Sequence, residues 1–104
     1  MSHIAVNECI RDCHDCKVMC IRTAKRIHES HETRFSDLKN LLMECAKVCD
    51  FTESALTFES KYHVMSCQMC VDICNECSIA CEKENESECA EICRQCVASC
   101  SRMT

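Results

Sequence analysis

The sequence predicts an all-α protein, an antiparallel up-down-up-down four-helix bundle with a cysteine-lined core. Three observations predict it. The 104 residues include no glycine and no proline, so the residues that supply tight turns, β-bulges and sharp loop corners are missing. Aromatic residues are confined to Phe35, Phe51, Phe58 and Tyr62, and the β-branched residues are too scattered to build alternating strands. The 15 cysteines recur at spacings of three and four, the period of one face of a helix. A chain of this length has room for one modest core, so residues 1–104 are read as a single domain.

The elements follow in order. Ser2 caps a first helix that runs to about Glu29, and His31, Glu32 and Thr33 form a polar connection. Ser36 opens a second helix reaching about Glu59. A third starts at Ser60 or Lys61 and runs to about Lys83; Glu84, Asn85 and Glu86 then lead to Ser87, the expected cap of a fourth helix ending near Arg102. Connections this short make successive helices antiparallel neighbours.

The cysteines fall on these helices as stripes. Cys9, Cys13, Cys16 and Cys20 lie on the first, Cys45 and Cys49 on the second, Cys67, Cys70, Cys74, Cys77 and Cys81 on the third, and Cys89, Cys93, Cys96 and Cys100 on the fourth. Alternating threes and fours at about 100° per residue hold the sulfurs in one narrow band. These are the inward positions of a bundle, filled by thiols. The second helix continues its inward register with Leu38, Leu42, Thr52 and Leu56, and the first runs on to Ala24 and Ile27. Antiparallel packing therefore brings Ile27 near Leu38 and Leu42, an apolar plug at one end. Ile10, Val18, Ile21, Val64, Met69, Val71 and Ile73 lie beside the thiol stripe, where they broaden the core or form an oligomer contact.

Composition excludes several functions. The net charge of -5, with acidic and basic residues interspersed, gives no basic patch to follow a phosphate backbone, so no nucleic acid is expected as a partner. No segment approaches the roughly 20 apolar residues of a membrane span, and residues 1–15 lack an apolar run of signal-peptide length, which points to the cytoplasm. Cysteine this dense in a small chain usually signals a secreted disulfide scaffold. Against that stand the odd number of cysteines and the absence of glycine-containing loops. A core merely packed with thiols would be underfilled. No βαβ setting surrounds the Cys-x2-Cys units, as a thiol-disulfide enzyme would need, and no Ser, His and Asp grouping or paired acids suggests catalysis.

A soft metal fits better. Thiolates select Cu(I), Zn or iron-sulfur clusters. Roughly one Cu(I) per thiolate leaves a nearly neutral interior, whereas a Zn ion with four thiolates keeps a formal charge of about -2. Iron-sulfur clusters favour cysteines on a loop wrapping one cluster, and the usual ferredoxin spacing is absent. The expectation is a non-catalytic store of several Cu(I) ions per chain, with an iron-sulfur electron carrier or a Zn or general soft-metal buffer as alternatives.

The segments ECIRDCHDCKVMC (Glu8 to Cys20), ECAKVC (Glu44 to Cys49), CQMCVDICNECSIAC (Cys67 to Cys81) and CAEICRQCVASC (Cys89 to Cys100) also resemble, in order and spacing, the cytosolic four-helix-bundle copper storage proteins. The resemblance covers nearly the whole chain. It implies a homotetramer of bundles, each binding many Cu(I) ions through core cysteines, with metal entering at one open end. Two departures bear on it. Thr23, Ala24, Ile27 and Leu38 stand where family members carry further cysteines, which implies reduced capacity. Family members line the mouth near the third connection with histidines, and Lys83 to Glu88 has none.

Outside the thiols, His63 lies four before Cys67 and Met103 three after Cys100, so both continue the inward stripes as candidate last ligands. His28 and His31 are read as solvated, His3 and His14 as surface residues, and Met19, Met43, Met65 and Met69 as packing.

Overall fold

The structure, a computed structural model, describes residues 2–104. Four helices carry the chain: α1 (His3–Ser30), α2 (Ser36–Thr57), α3 (His63–Lys83) and α4 (Ser87–Ser101), with a single 3-10 turn at Thr33–Phe35 and no strand among the described residues. Each helix packs on the next and α1 closes on α4. Lys17 of α1 meets Glu53 near the end of α2 at 2.9 Å, and Cys9 near the start of α1 meets Cys100 near the end of α4 at 3.5 Å. Neighbours are therefore antiparallel, and the rod measures 43 × 19 × 17 Å.

The ends of the helices show how a chain without glycine turns. Ser2 caps α1 by accepting a hydrogen bond from the Ala5 N–H at 3.1 Å, as the sequence leads one to expect. Helices α1, α2 and α3 each stop where a residue enters the left-handed region: His31 at φ 58°, Glu59 at φ 55° and Asn85 at φ 63°. In two of them the chain then folds back in a Schellman motif, with Ser60 N–H bonded to the Ala55 carbonyl at 2.8 Å and Glu86 N–H to the Cys81 carbonyl at 2.8 Å.

These motifs move three expected boundaries. Helix α2 ends at Thr57 instead of Glu59. The Ser60 hydroxyl is engaged by the Tyr62 N–H at 3.1 Å, so α3 starts at His63 instead of at Ser60 or Lys61. Ser87 is the first residue of α4 and not its cap, because Glu86 occupies that position as the chain leaves the turn.

The core has thiols in the middle and hydrocarbon at the ends. Ala24, Ile27, Leu38 and Leu42 are buried together in the cluster at the end formed by the close of α1 and the start of α2, the plug expected from antiparallel register. At the opposite end Leu56 and Met103 are buried. Thr52 is fully buried beside Ser66; its hydroxyl donates to the Val48 carbonyl at 2.8 Å and meets the Ser66 hydroxyl, so neither buried oxygen is left without a partner.

Of the residues flanking the stripe, Ile10, Val71 and Ile73 pack against the core, while Ile21, Val64 and Met69 are exposed. Met19 packs as expected. Met43, Met65 and Met69 do not, since their places on α2 and α3 lie off the inward stripe and leave them exposed. Among the described residues no helix is long and apolar enough to cross a membrane.

Candidate metal centre

All 15 cysteines are free and buried, fourteen with no exposed surface and Cys89 with 2%. Alternating spacings of three and four keep each stripe on the inner face, and the antiparallel square brings four stripes to one axis. Contacts between sulfurs then run along helices and across them. Cys9 and Cys13 of α1 lie 3.5 and 3.7 Å from Cys100 of α4; Cys45 and Cys49 of α2 lie 3.6 and 3.7 Å from Cys74 of α3. Cys16 of α1 reaches Cys74 at 3.9 Å and Cys93 at 3.7 Å, and Cys70 reaches Cys96 at 3.7 Å.

Four groups have every sulfur within 4.8 Å of the others: Cys9, Cys67 and Cys100; Cys13, Cys70, Cys96 and Cys100; Cys16, Cys49, Cys74 and Cys96; and Cys16, Cys20, Cys45 and Cys93. Cys16, Cys96 and Cys100 each belong to two groups, so these are successive rungs joined by shared sulfurs and not isolated four-ligand sites. Cys77 and Cys81, 4.0 Å apart, and Cys89 lie beyond the last group, toward the plugged end. With a metal-sulfur bond of about 2.3 Å, trigonal coordination needs sulfurs about 4.0 Å apart and linear coordination about 4.6 Å. The observed sulfur spacing, 3.5 to 4.0 Å in the contacts above and within 4.8 Å inside each group, spans the range that two- and three-coordinate ions require.

Neighbouring thiols along the stripe shift one another in opposite directions. Cys9 is held far below the ordinary thiol range, chiefly by its hydrogen bond with Cys100 and then by Cys13 and Cys67. Cys20 is driven far above it by Cys16 first, then by Cys45, Cys77 and Cys89, with burial adding to the effect. Cys77 is lowered to about 6, by Cys20 first and with help from Cys81 and Cys93. Cys67 is pulled down by Cys100, but Cys9 and burial outweigh this and push it up to about 12. A bound cation replaces thiol protons as the counter-charge for buried thiolates.

The remaining candidate ligands divide by end. His63 is half-buried at the start of α3, and its Nδ1 lies 2.9 Å from the Ser60 carbonyl. A carbonyl only accepts, so Nδ1 is the donor in this contact and Nε2 is the ring nitrogen not engaged by it. Met103 is 4% exposed, at the same end of the bundle as Cys9, Cys67 and Cys100. His14 is exposed and pairs with Glu53 at 3.2 Å. His28, also exposed, has Nδ1 3.4 Å from the Lys39 ammonium. His3 is exposed as expected, yet it lines the same cleft as His63. The parallel course of α1 and α3, whose first turns share an end, was the signal that could have paired the two histidines from sequence.

Comparison with known proteins agrees with this arrangement. The sequence model of the family described as "Copper storage protein" matches residues 2–104. Among solved structures, the Nmul_A1745 protein of Nitrosospira multiformis is similar at 28% identity, over 98% of this chain and 96% of that one, with a TM-score of 0.91. No curated protein matches the sequence. A family match over nearly the whole chain, on a bundle whose interior is a continuous ladder of thiols, shows that this protein belongs to the copper storage protein family.

Proposed function

We propose that the chain stores copper as Cu(I), bound by thiolates along the bundle axis and without catalysis. The observation that carries the reading is the sharing of Cys16, Cys96 and Cys100 between neighbouring groups of buried sulfurs. A bridging thiolate serves two ions at once, and roughly one Cu(I) per thiolate neutralises the interior; tetrahedral Zn would leave about two negative charges per four-thiolate site in a dry core. Soft monovalent copper with low coordination number suits both the charge and the spacing.

The ligand set is the full run Cys9, Cys13, Cys16, Cys20, Cys45, Cys49, Cys67, Cys70, Cys74, Cys77, Cys81, Cys89, Cys93, Cys96 and Cys100, with His63 and Met103 as the last soft donors at their end. Thr23, Ala24, Ile27 and Leu38 are buried where further thiols would extend the ladder, so capacity stops short at the plugged end. The reading includes a cytoplasmic location and a homotetramer, both on the family resemblance. The exposed side chains of Phe51, Tyr62, Met65 and Met69, which line one groove between α2 and α3, support self-association, and light scattering during gel filtration checks it.

Replacing shared sulfurs tests the site directly. Cys16→Ser with Cys96→Ser removes sulfurs common to three of the four groups and is expected to lower the Cu(I) bound per chain by two or more, about one ion for each thiolate lost. Unchanged copper content in the folded double variant would contradict a bridged ladder. A brown, redox-active protein after anaerobic iron and sulfide treatment, with little copper uptake, would favour an iron-sulfur carrier instead.

A further inference from the structure

Successive rungs of the ladder differ in how many sulfurs they bring together. Three of the four groups hold four sulfurs, and the remaining one holds Cys9, Cys67 and Cys100 only. These are the first thiol of α1, the first of α3 and the last of α4, so the group is the outermost rung at its end. Helix α2 contributes no thiol there, because its inward register continues past Cys49 with buried Thr52 and Leu56. Neither can act as a fourth donor. Leu56 is hydrocarbon, and the Thr52 hydroxyl is committed to the Val48 carbonyl at 2.8 Å and to the Ser66 hydroxyl. All three sulfurs have no exposed surface, so bulk water does not reach them.

A dry site of three sulfurs restricts what it can hold. A tetrahedral ion is left one ligand short. A three-coordinate main-group centre that keeps a lone pair is satisfied by three sulfurs and needs nothing more. The lone pair closes the angles between its bonds toward about 100°, so bonds of about 2.3 Å set the sulfurs about 3.5 Å apart, against about 4.0 Å around a flat trigonal ion. Cys9 and Cys100 lie 3.5 Å apart, whereas the other sulfur contacts among the described residues run from 3.6 to 4.0 Å. In a four-sulfur group the same centre would leave one sulfur within 4.8 Å, facing its lone pair.

We propose that Cys9, Cys67 and Cys100 form a binding site for trivalent arsenic, taken up as neutral arsenous acid. Three As–O bonds break as three As–S bonds form, and each thiol proton leaves with a hydroxyl group as water. Arsenic stays trivalent throughout, so no oxidant or reductant is needed. A neutral acid enters and a neutral trithiolate remains, which spares the interior the cost of an unbalanced buried charge. The site is a cargo position beyond copper, and it stands whether or not the inner rungs store Cu(I).

The test is an anaerobic titration of the reduced, copper-free chain with sodium arsenite, read by native mass spectrometry. One arsenic is expected to bind tightly per chain, with a mass gain of one arsenic less three hydrogens. Two or more arsenic atoms of equal affinity, or a product that keeps an oxygen, would overturn the site. Loss of an outer-shell partner alone costs a metal site tenfold or more, so Cys67→Ser is expected to weaken arsenite binding by at least about a hundredfold. Cys45→Ser, which takes a sulfur from an inner group, is expected to weaken it by less than about twofold. Equal losses in the two variants would overturn the assignment. In the intact chain with carbon-labelled cysteine, the β-carbon resonances of Cys9, Cys67 and Cys100 should shift first, and first shifts at inner cysteines would overturn it. Cu(I) uptake is measured separately: a chain that fills with copper but ignores arsenite sinks this proposal and leaves storage standing.

Discussion

Cysteine at the inward positions of a bundle leaves a core that is less filled than leucine would leave it, so the few large apolar side chains matter more than their number suggests. Leu42 is fully buried in the plug, and Leu42→Ala is expected to destabilise the protein by about 2 to 5 kcal/mol, read from urea unfolding. A loss below about 1 kcal/mol would mean that the plug end is already open. Thiol protonation is a second property at this scale. Cys77, lowered to about 6 mainly by Cys20, is a thiolate at neutral pH and becomes protonated as the pH falls through that value. The stability it contributes to the empty protein is therefore full above the ordinary thiol range and lost on acidification through about 6. With Cys77 as a copper ligand, as proposed, uptake there would release no proton at neutral pH and one below about 6. Proton release on filling, measured by pH-stat, is expected to rise by about one per chain between about pH 7 and about pH 5. A release that stays constant or falls would contradict the assignment at Cys77.

Among the elements, the helices were legible from sequence because their buried faces repeat every three and four residues, and the structure keeps all 15 cysteines on those faces. The ends were less legible. Helix stops are usually flagged by glycine in the left-handed region, and here His31, Glu59 and Asn85 take that conformation instead. Asparagine and histidine visit it more readily than most residues, which makes Asn85 and His31 readable in hindsight, but nothing marks Glu59. The sequence therefore carries α2 and α3 two or three residues too far into their shared turn and gives no sign of the 3-10 turn at Thr33–Phe35. Replacing the strained residue tests the explanation: Glu59→Gly and Asn85→Gly are each expected to stabilise the protein by about 0.5 to 1 kcal/mol. Destabilisation by either would show that the side chain does more than bear the strain. Likewise invisible was the pairing of Thr52 with Ser66, because two hydroxyls fourteen residues apart carry no periodic signal until α2 and α3 face each other.

Taken whole, the molecule is a bundle whose four inner faces meet sulfur to sulfur along one axis. Without metal, S–H hydrogen bonds between sulfurs 3.5 to 4.0 Å apart run along and across the helices. On the storage reading, metal-thiolate bonds would link all four helices, and a ligand that binds only the folded state stabilises it by mass action. Copper loading is expected to raise the melting temperature by at least about 10 °C, with removal by a strong Cu(I) chelator reversing the shift. A loaded protein that melts with the empty one would place the metal outside the core. The most direct measurement is an anaerobic titration of the fully reduced chain with Cu(I) against a competing chromophoric chelator, closed by elemental analysis. The account predicts tight uptake of roughly eight or more ions per chain, as shared thiolates along the axis require. Saturation at one or two ions, or none, would contradict it.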